Sequence, residues 1–432
     1  MLQKLVVVHA RLLWRDPSAV SVDEHNVAPQ ATTSNHAREL LSRGMRVAWV
    51  SPSLPLPENS GFRIRVRRLQ QAFSLDDGDE VDLFCGLLDA REEREWAALQ
   101  STFSGAFSRA FAFRRRATSK AGQVLPFVVR TPPVGMGDAI AREHRRQPYD
   151  LLVVSFSWCL AWLAGRPDVP VLLEEHNTES AYHLQSLRTE GWSAARFRDW
   201  VWLRQLERHA WQQADGVSVV QPGDLDIVSS HARRTIVVPN GTDLDALQYI
   251  APSRRRGHRL LFVGQMSYAP NVRAAQFLAQ QVLPVVRQSC PDAQLYLVGR
   301  DAGPDVERLA SAAVHVTGEV PTLAPYFDDA AVFVNGLDAG AGSSLKVPEA
   351  LSTGLPMVST TFGVRGFPVA HQRDVLIADD PVEFAAHVVD VLQHRTHYDA
   401  QAAAAYDVAC GFGWGASQSA FRAFAEELVG AH

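Results

Sequence analysis

The segment GAGSSLKVPEALSTGLP, residues 340–356, contains the most informative pattern of the 432-residue chain. A glycine-rich loop leads into a short helix, and Gly354 ends that helix before the apolar run Met357-Val358-Ser359. Glycine lets backbone N–H groups approach a ligand closely, and a helix start adds unpaired N–H donors with a partial positive charge. The segment therefore predicts a loop–helix–strand unit with a seat for phosphate.

Side chains of this segment favour a nucleoside diphosphate as the ligand. Ser343 and Ser344 are of the type that caps a helix N-terminus, and Pro348 is tolerated only in a first turn. Lys346 would supply a cation. Glu349 falls about one turn later, where a carboxylate can accept hydrogen bonds from both ribose hydroxyls. An ordinary capped helix with a solvated glutamate is the alternative.

Composition places the chain among globular proteins, since hydrophobic residues make up 47% and charged residues 21%, and the length of 432 residues predicts two domains. The net charge of −5 argues against general nucleic-acid binding. Four cysteines lie far apart in apolar settings, which predicts buried free thiols in a reducing compartment. Because neither a signal peptide nor a membrane-spanning run is apparent, we expect a cytoplasmic location.

Short apolar runs alternate with longer amphipathic stretches along the chain. Strands are predicted at residues 46–50, 81–85, 151–155, 171–175, 217–220 and 235–238, and again at 260–263, 294–298, 314–316, 332–335, 357–359 and 375–377. Helical patterns lie between most of them, for example at 274–287 and 382–393. This alternation predicts parallel sheets, and its two series predict an α/β protein with two doubly wound, Rossmann-like domains.

The domain organisation follows from the same pattern. We expect an N-terminal extension at 1–44, an N-terminal domain at 45–240 completed by a C-terminal helix at 411–430, and a C-terminal domain at 241–410. Met45 directly precedes the first expected strand, which favours a dispensable extension. The alternative is a working part of the protein, because residues 5–8 resemble a strand and 33–43 a helix.

Five segments together resemble the GT-B glycosyltransferases of family 4, which are retaining nucleotide-sugar transferases, and most closely a branch from bacterial exopolysaccharide gene clusters. They are SPSLPLPENSGFRIR (51–65), EEHNTES (174–180), VVPNGTD (237–243), LFVGQMSYAPN (261–271) and the segment 340–356. The resemblance implies two domains facing across a cleft. The N-terminal domain would present the acceptor, and the C-terminal domain would hold the nucleotide sugar.

The resemblance also implies roles for residues that follow predicted strands, where open parallel sheets bind ligands. His176, Lys346 and Glu349 are the expected catalytic residues, with His176 beside the reacting sugar. The expected donor-binding residues are Gly61, Arg65, Gly264, Gln265, Gly299, Glu319, Val320, Gly342, Ser343, Ser344 and Leu345. A buried structural histidine is the alternative for His176, and a surface turn is the alternative for Glu319 and Val320.

Members of this family generally need no metal, so neither a metal nor a cofactor is expected. Asp224-Leu225-Asp226 matches the metal-binding Asp-x-Asp pattern nominally, but it precedes a helical stretch, and we interpret it as a helix cap. The family implies that the leaving phosphate itself deprotonates the acceptor hydroxyl on the same face of the sugar, which retains the anomeric configuration.

The chain departs from the family pattern at two places. Most members carry two carboxylates in the opening segment; Glu349 is the second, but Ala341 occupies the first position. Two basic residues that bind phosphate in many members correspond to Gln265 and Asn271, so we expect Lys346 to compensate, with Arg273 as the nearest other cation.

The expected partners are a nucleotide-sugar donor and a glycan, lipid-linked or small-molecule acceptor, in polysaccharide or glycoconjugate biosynthesis, without nucleic acid. A nucleotide-sugar 2-epimerase and a non-catalytic sugar-nucleotide-binding partner remain alternatives. Epimerases use several carboxylates around the sugar, whereas the 340–349 loop supplies only Glu349. The tryptophan- and arginine-rich helical stretch 192–211 would either pack on the N-terminal sheet or make peripheral contact with the inner membrane.

Overall fold

The computed structural model describes residues 44–73, 78–115, 133, 135–163, 166–189, 191–340 and 342–432. They form two parallel β-sheets, each covered on both faces. Residues 1–43 lie outside the described residues, as does Ala341, so the two interpretations of the N-terminal extension stay predictions.

The first sheet has the strand order β3-β2-β1-β4-β5-β6-β7, and all neighbouring strands are parallel. Its strands are β1 (Arg46–Ser51), β2 (Glu80–Leu87), β3 (Arg109–Arg114), β4 (Leu151–Ser155), β5 (Val171–Glu174), β6 (Gly216–Val219) and β7 (Thr235–Val237). Helices between them are α1 (Gly61–Gln70), α2 (Ala90–Ala98), α3 (Gln100–Ala106), α4 (Met136–Arg146), α5 (Ser157–Leu160), α6 (Glu179–Thr189), α7 (Ala194–Gln213) and α8 (Pro222–Val228).

The second sheet has the order β10-β9-β8-β11-β12-β13 and is also parallel. Its strands are β8 (Arg259–Val263), β9 (Gln294–Val298), β10 (Val314–Gly318), β11 (Val332–Asn335), β12 (Met357–Ser359) and β13 (Leu376–Ile377). The helices are α9 (Ala269–Phe277), α10 (Leu283–Ser289), α11 (Pro304–Glu307), α12 (Ala324–Asp329), α13 (Lys346–Ser352), α14 (Pro381–Gln393), α15 (Asp399–Cys410) and α16 (Trp414–Gly430).

Central strands contain continuous apolar runs because both of their faces are buried. In β1, Val47 and Trp49 belong to one core cluster and Ala48 and Val50 to the other, and none of the four is exposed. The last helix, α16, returns to the first sheet, where the ring of Phe421 lies 5.8 Å from that of Trp49. The C-terminal segment thus contributes to the core of the first sheet.

The predicted fold class is confirmed: there are two doubly wound α/β units, and every predicted strand is present close to its expected ends. The sequence analysis missed β3, because its residues are only half-buried at the edge of the sheet and lack a continuous apolar run. The helix predicted at 274–287 consists of α9, a π-helical turn (Leu278–Val282) and α10.

All four cysteines are free, and burial raises the pKa of the Cys85 and Cys159 thiols. Cys290 is also buried, but the prediction of a buried thiol is wrong for Cys410, which is exposed because it is the last residue of α15.

The tryptophan-rich stretch forms α7. This helix buries Leu203 and Trp211 against the first sheet, whereas Trp202 is 45% exposed and Trp192, before the helix, 71% exposed. No helix in the described part of the chain is long and apolar enough to span a membrane. Peripheral membrane contact stays a prediction.

Candidate active site

A cavity of about 650 Å³ lies between the two sheets and is lined by residues that follow strands of both. It brings together all but one of the predicted site residues: Gly61, Arg65, His176, Gly264, Gln265, Gly299, Glu319, Val320, Ser343, Ser344, Leu345, Lys346 and Glu349. Glu319 and Val320 line the cavity, and Glu319 is exposed to solvent there. The Asn59 amide of the opposite wall donates a hydrogen bond to Glu319 Oε1 at 3.2 Å.

Gly342, the remaining predicted residue, lies behind the cavity wall at a close approach between the two domains. Its φ of 61° is in the left-handed region that favours glycine. A Cβ atom there would lie 2.7 Å from both the His176 carbonyl oxygen and Asn177 Oδ1, closer than van der Waals contact allows. The glycine thus lets the loop touch the segment that carries His176.

His176 follows β5, and its ring lines the cavity while being 8% exposed. The ring stacks on Phe156, with centroids 4.5 Å apart, and contacts Phe62 at 5.1 Å. Phe156 has a φ of 69°, a costly value for a residue other than glycine. Burial lowers the pKa of His176, although nearby Glu174 favours the charged form. Burial thus disfavours the imidazolium form, and aromatic packing holds the ring in place.

Glu174 and Arg65 form a buried ion pair beside His176. Arg65 Nε donates to Glu174 Oε1 at 2.5 Å, and Arg65 Nη1 donates to Asn240 Oδ1 at 3.1 Å. Glu174 Oε2 lies 2.6 Å from His176 Nε2. Burial favours the protonated acid, but His176 and Arg65 outweigh it and hold the pKa of Glu174 at about 2. Glu174 is thus a carboxylate, and these two Arg65 nitrogens bond to protein groups.

Lys346 and Glu349 occupy the opposite wall. Lys346 Nζ donates to Asn271 Oδ1 at 2.8 Å and lies 4.4 Å from the centre of the Phe262 ring. Burial lowers the pKa of Lys346 to about 7, although Glu349 favours its charged form. Burial likewise raises the pKa of Glu349 to about 7, against the influence of Lys346. Near neutral pH, the ammonium and the carboxyl group are therefore each close to half-ionised, and an ionic ligand would shift both equilibria.

Asn271, which stands where many family members carry a basic residue, packs against Gly264 and contacts Lys346. A Cβ on Gly264 would lie 2.7 Å from Asn271 Nδ2, so the absent side chain makes room for the amide. The amide oxygen then holds the Lys346 ammonium at the cavity wall. Compensation by Lys346 for the missing basic residues stays a prediction.

The start of α13 corrects the predicted helix cap. The helix begins at Lys346 after Leu345, which already has helical angles, and no side chain caps it. Ser343 and Ser344 therefore precede the cap position, and their prediction as capping residues is wrong. Ser343 instead accepts hydrogen bonds from Asn240 Nδ2, at 3.0 Å through its carbonyl and 3.3 Å through Oγ.

Asp224 is also no helix cap. It lies inside α8, whose cap position is Gln221, because Pro222 already occupies the first turn. Its Oδ1 instead accepts a hydrogen bond from Thr178 Oγ1 at 3.2 Å. Among the residues with described positions, no group of three or more histidine, cysteine, aspartate or glutamate side chains could hold a metal ion.

Arg300 is a cavity cation that the sequence analysis missed. It follows Gly299 at the carboxyl end of β9, a position that could have revealed it, and its Nη2 donates to Gln265 Oε1 at 3.4 Å. Gln265 Nε2 in turn donates to Asp301 Oδ2 at 3.1 Å. Arg273, the cation considered from the sequence, forms a two-nitrogen ion pair with Asp338 and does not line the cavity.

Two facing parallel α/β domains around such a cavity define the GT-B class of glycosyltransferases. Residues 30–246 match the family described as Glycosyltransferase Family 4, and residues 257–394 match the family described as Glycosyl transferases group 1. The chain belongs to glycosyltransferase family 4. The first match begins upstream of Met45, within the predicted extension.

Similar proteins agree with this assignment. An uncharacterised 44.6 kDa protein in the cps region of Klebsiella pneumoniae is 28% identical over 140 residues, which span 30% of this chain and 36% of that protein. Sucrose-phosphate synthase of Thermosynechococcus elongatus superposes with a TM-score of 0.66 at 18% identity, over 90% of this chain and 100% of that one. HepE of Anabaena, in complex with UDP and glucose, superposes with a TM-score of 0.59 at 15% identity, over 87% of this chain and 98% of that one. These structural likenesses establish the fold.

Proposed function

We propose that this glycosyltransferase transfers a sugar from a nucleoside-diphosphate sugar to an acceptor hydroxyl, with retention of configuration, in bacterial polysaccharide or glycoconjugate biosynthesis. The observation that carries the proposal is the cavity whose one wall holds Lys346 and Glu349 and whose other wall holds His176. The complex of HepE with UDP and glucose and the cps-region relative support the donor class and the pathway.

The C-terminal wall suits the nucleoside diphosphate. Lys346 and Arg300 supply two cations to the cavity, and the partial positive charge at the start of α13 favours an anion. Because the pKa of Lys346 is about 7, a phosphate beside it would stabilise the ammonium form. Glu349 lies one residue beyond Pro348 in the first turn, where it would accept hydrogen bonds from the ribose.

The reaction needs stabilisation of the negative charge that develops on the leaving diphosphate. Lys346, Arg300 and the backbone N–H groups of Ser343, Ser344 and Leu345 would provide it through fixed charges and dipoles. His176 would contact the sugar from the N-terminal wall as positive charge develops there. The leaving phosphate would take the proton of the acceptor hydroxyl on the same face, so that neither a protein nucleophile nor a metal ion is required.

Product analysis tests the proposal. The protein is first screened by thermal shift with UDP, GDP, dTDP and ADP, because a ligand stabilises the folded state in proportion to its occupancy. The protein is then incubated in the presence of EDTA with sugar nucleotides that carry the selected base. Parallel reactions contain or lack lipid and glycan extracts of a capsule-forming bacterium as the source of acceptor. We expect an acceptor-dependent product, and nuclear magnetic resonance should show that the anomeric configuration is retained.

Four results would contradict the proposal. An inverted product excludes the retaining mechanism, and activity lost with EDTA but restored by Mg²⁺ excludes metal independence. Epimerised sugar nucleotide formed without acceptor would identify a 2-epimerase instead. Binding of the nucleotide sugar with neither transfer nor hydrolysis would favour a non-catalytic partner.

A further inference from the structure

A continuous row of buried polar side chains connects the two walls of the cavity. From His176, the row passes through Glu174 and Arg65 to Asn240 and ends at the carbonyl of Ser343. It therefore runs from the end of β5, through α1 and the segment joining the two domains, to the loop before α13. We call residues 342–346 the donor loop and Glu174, Arg65 and Asn240 the relay.

Stability alone does not account for the relay. Glu174 has no exposed surface, Arg65 is 1% exposed and Asn240 is 8% exposed. Removing an ion pair from water is costly, and apolar residues of similar size often stabilise a core as well or better. A buried ion pair that also contacts a second domain is better explained by the geometry that it imposes.

The chemistry of Arg65 fixes the direction of each contact. A guanidinium group is planar and can only donate hydrogen bonds. Its partners in Glu174 and Asn240 must therefore be acceptor oxygen atoms. Because Asn240 presents its Oδ1 to Arg65, its Nδ2 is directed at Ser343, which accepts through its carbonyl and Oγ. The position of Arg65 thereby determines where the donor loop is held.

The donor loop has little room to move at this point. Only the absence of a side chain at Gly342 allows its backbone to lie against the carbonyl of His176 and the amide of Asn177. Ser343, the next residue, is held by Asn240. A shift of Ser343 would therefore press Gly342 against the segment that carries His176 or pull the two apart.

We propose that Glu174, Arg65 and Asn240 are positioning residues that set the distance between His176 and the donor loop. This inference rests on the proposed function, because it assigns the relay to the alignment of the sugar end of the site with its phosphate end. Arg65, predicted from the sequence to bind the donor, acts through Glu174 and Asn240 instead.

A double-mutant cycle tests the proposal, with Glu174→Gln and Asn240→Ala as the two changes, because Arg65 links these residues. We expect each change to lower kcat, and the double variant to be no slower than the worse single variant. Residues in one network show such coupling, here expected to be about tenfold in kcat. Independent effects, in which the fold-losses multiply, would overturn the relay.

Hydrogen exchange of the unliganded protein provides a readout that does not depend on activity. Glu174→Gln should speed exchange in the donor loop, whereas Glu95→Gln should not. Glu95→Gln is a matched control because it also removes the acidic partner of an α1 arginine, Arg63, which lies 2.8 Å from Glu95. Neither Arg63 nor Glu95 lines the cavity. If Glu174→Gln does not fold, Arg65→Lys, which keeps the charge but loses the planar fork, replaces it in both experiments.

The two readouts separate the relay from the function on which it rests. If the wild type transfers no sugar but the donor loop exchanges faster in Glu174→Gln, the proposed function fails and the relay stands as a structural coupling. If the wild type transfers sugar, but Glu174→Gln leaves exchange of the donor loop unchanged and the two changes act independently on kcat, the relay is overturned and the proposed function stands.

Discussion

At the scale of single residues, Lys346 and Glu349 are unusual because burial brings both pKa values to about 7. In the proposed complex, nucleotide binding requires the ammonium form of Lys346, which is lost as the pH rises above 7. It also requires the carboxylate form of Glu349, which is lost as the pH falls below 7. Binding should therefore be strongest near neutral pH and weaken in both directions.

Calorimetric titration with the selected nucleoside diphosphate between pH 5.5 and 8.5, an interval of about 1.5 units on each side of these pKa values, checks this expectation. Lys346→Met should remove the loss on the alkaline side and Glu349→Gln the loss on the acidic side, each at lower overall affinity. An affinity that follows only the ionisation of the phosphate itself would show that neither residue contacts the nucleotide.

Glu349 is expected to hold the ribose through charged hydrogen bonds. Glu349→Ala should weaken nucleoside-diphosphate binding by about 2 kcal/mol, the usual worth of such a bond, with the fold intact. Glu383→Ala, a change near the start of α14 outside the cavity, is the matched control and should bind normally. Unchanged affinity of Glu349→Ala in calorimetry would refute the assignment.

His176 is expected to act at the transition state. His176→Ala should lower kcat on the order of 100-fold while changing donor affinity little, because an interaction that strengthens at the transition state contributes mainly to turnover. His387→Ala, in α14, should leave both quantities unchanged. Normal turnover of His176→Ala would favour the alternative of a buried structural histidine.

Sequence patterns identified residues whose local setting is distinctive. Lys346 and Glu349 could be predicted because loop, proline and carboxylate spacing define a helix start within a few residues. The contacts of Asn240 with Arg65 and Ser343 could not, because these partners come from distant parts of the chain. Which polar groups meet across the cavity depends on how the two domains pack, and no local pattern contains that information.

At the scale of elements, the alternation of strands and helices was the most predictable feature. Strands buried on both faces, such as β1, have continuous apolar runs, whereas the edge strand β3 lacks one and was missed. The start of α13 differed from prediction because Leu345 already adopts helical angles. Helix ends depend on backbone geometry that several residue types can adopt, so sequence locates them less precisely than strands.

The returning helix α16 should stabilise the first sheet through its apolar face. Phe421 has no exposed surface and packs between Trp49 and Phe73. Phe421→Ala should therefore lower the free energy of unfolding by about 3–5 kcal/mol, the usual cost of removing a buried phenyl ring. Ser419→Ala, on the exposed side of the same helix, should change it by less than about 0.5 kcal/mol.

Urea denaturation followed by circular dichroism measures both changes. A Phe421→Ala variant as stable as the wild type would show that α16 does not contribute to the core.

At the scale of the whole molecule, the two domains each provide one wall of the cavity that we propose as the active site. The C-terminal wall holds the charged groups suited to a diphosphate, and the N-terminal wall holds His176 between aromatic rings. Neither wall alone surrounds a ligand. The family resemblance predicts two domains that face across a cleft. The contacts between the two walls, at Gly342 and through the hydrogen bond from Asn240 to Ser343, are visible only in the folded chain.

Hydrogen exchange with bound ligand tests the central claim most directly, namely that the donor occupies the cavity between the domains. The selected nucleoside diphosphate should protect residues 261–271 and 340–356, and the corresponding sugar nucleotide should additionally protect 174–180, where His176 lies. A second, shallow pocket at the amino ends of β2 and β3, lined by Asp79 and Arg109 among others, provides an internal comparison and should be unaffected. Protection of that pocket, or of neither 340–356 nor 174–180, would contradict the account.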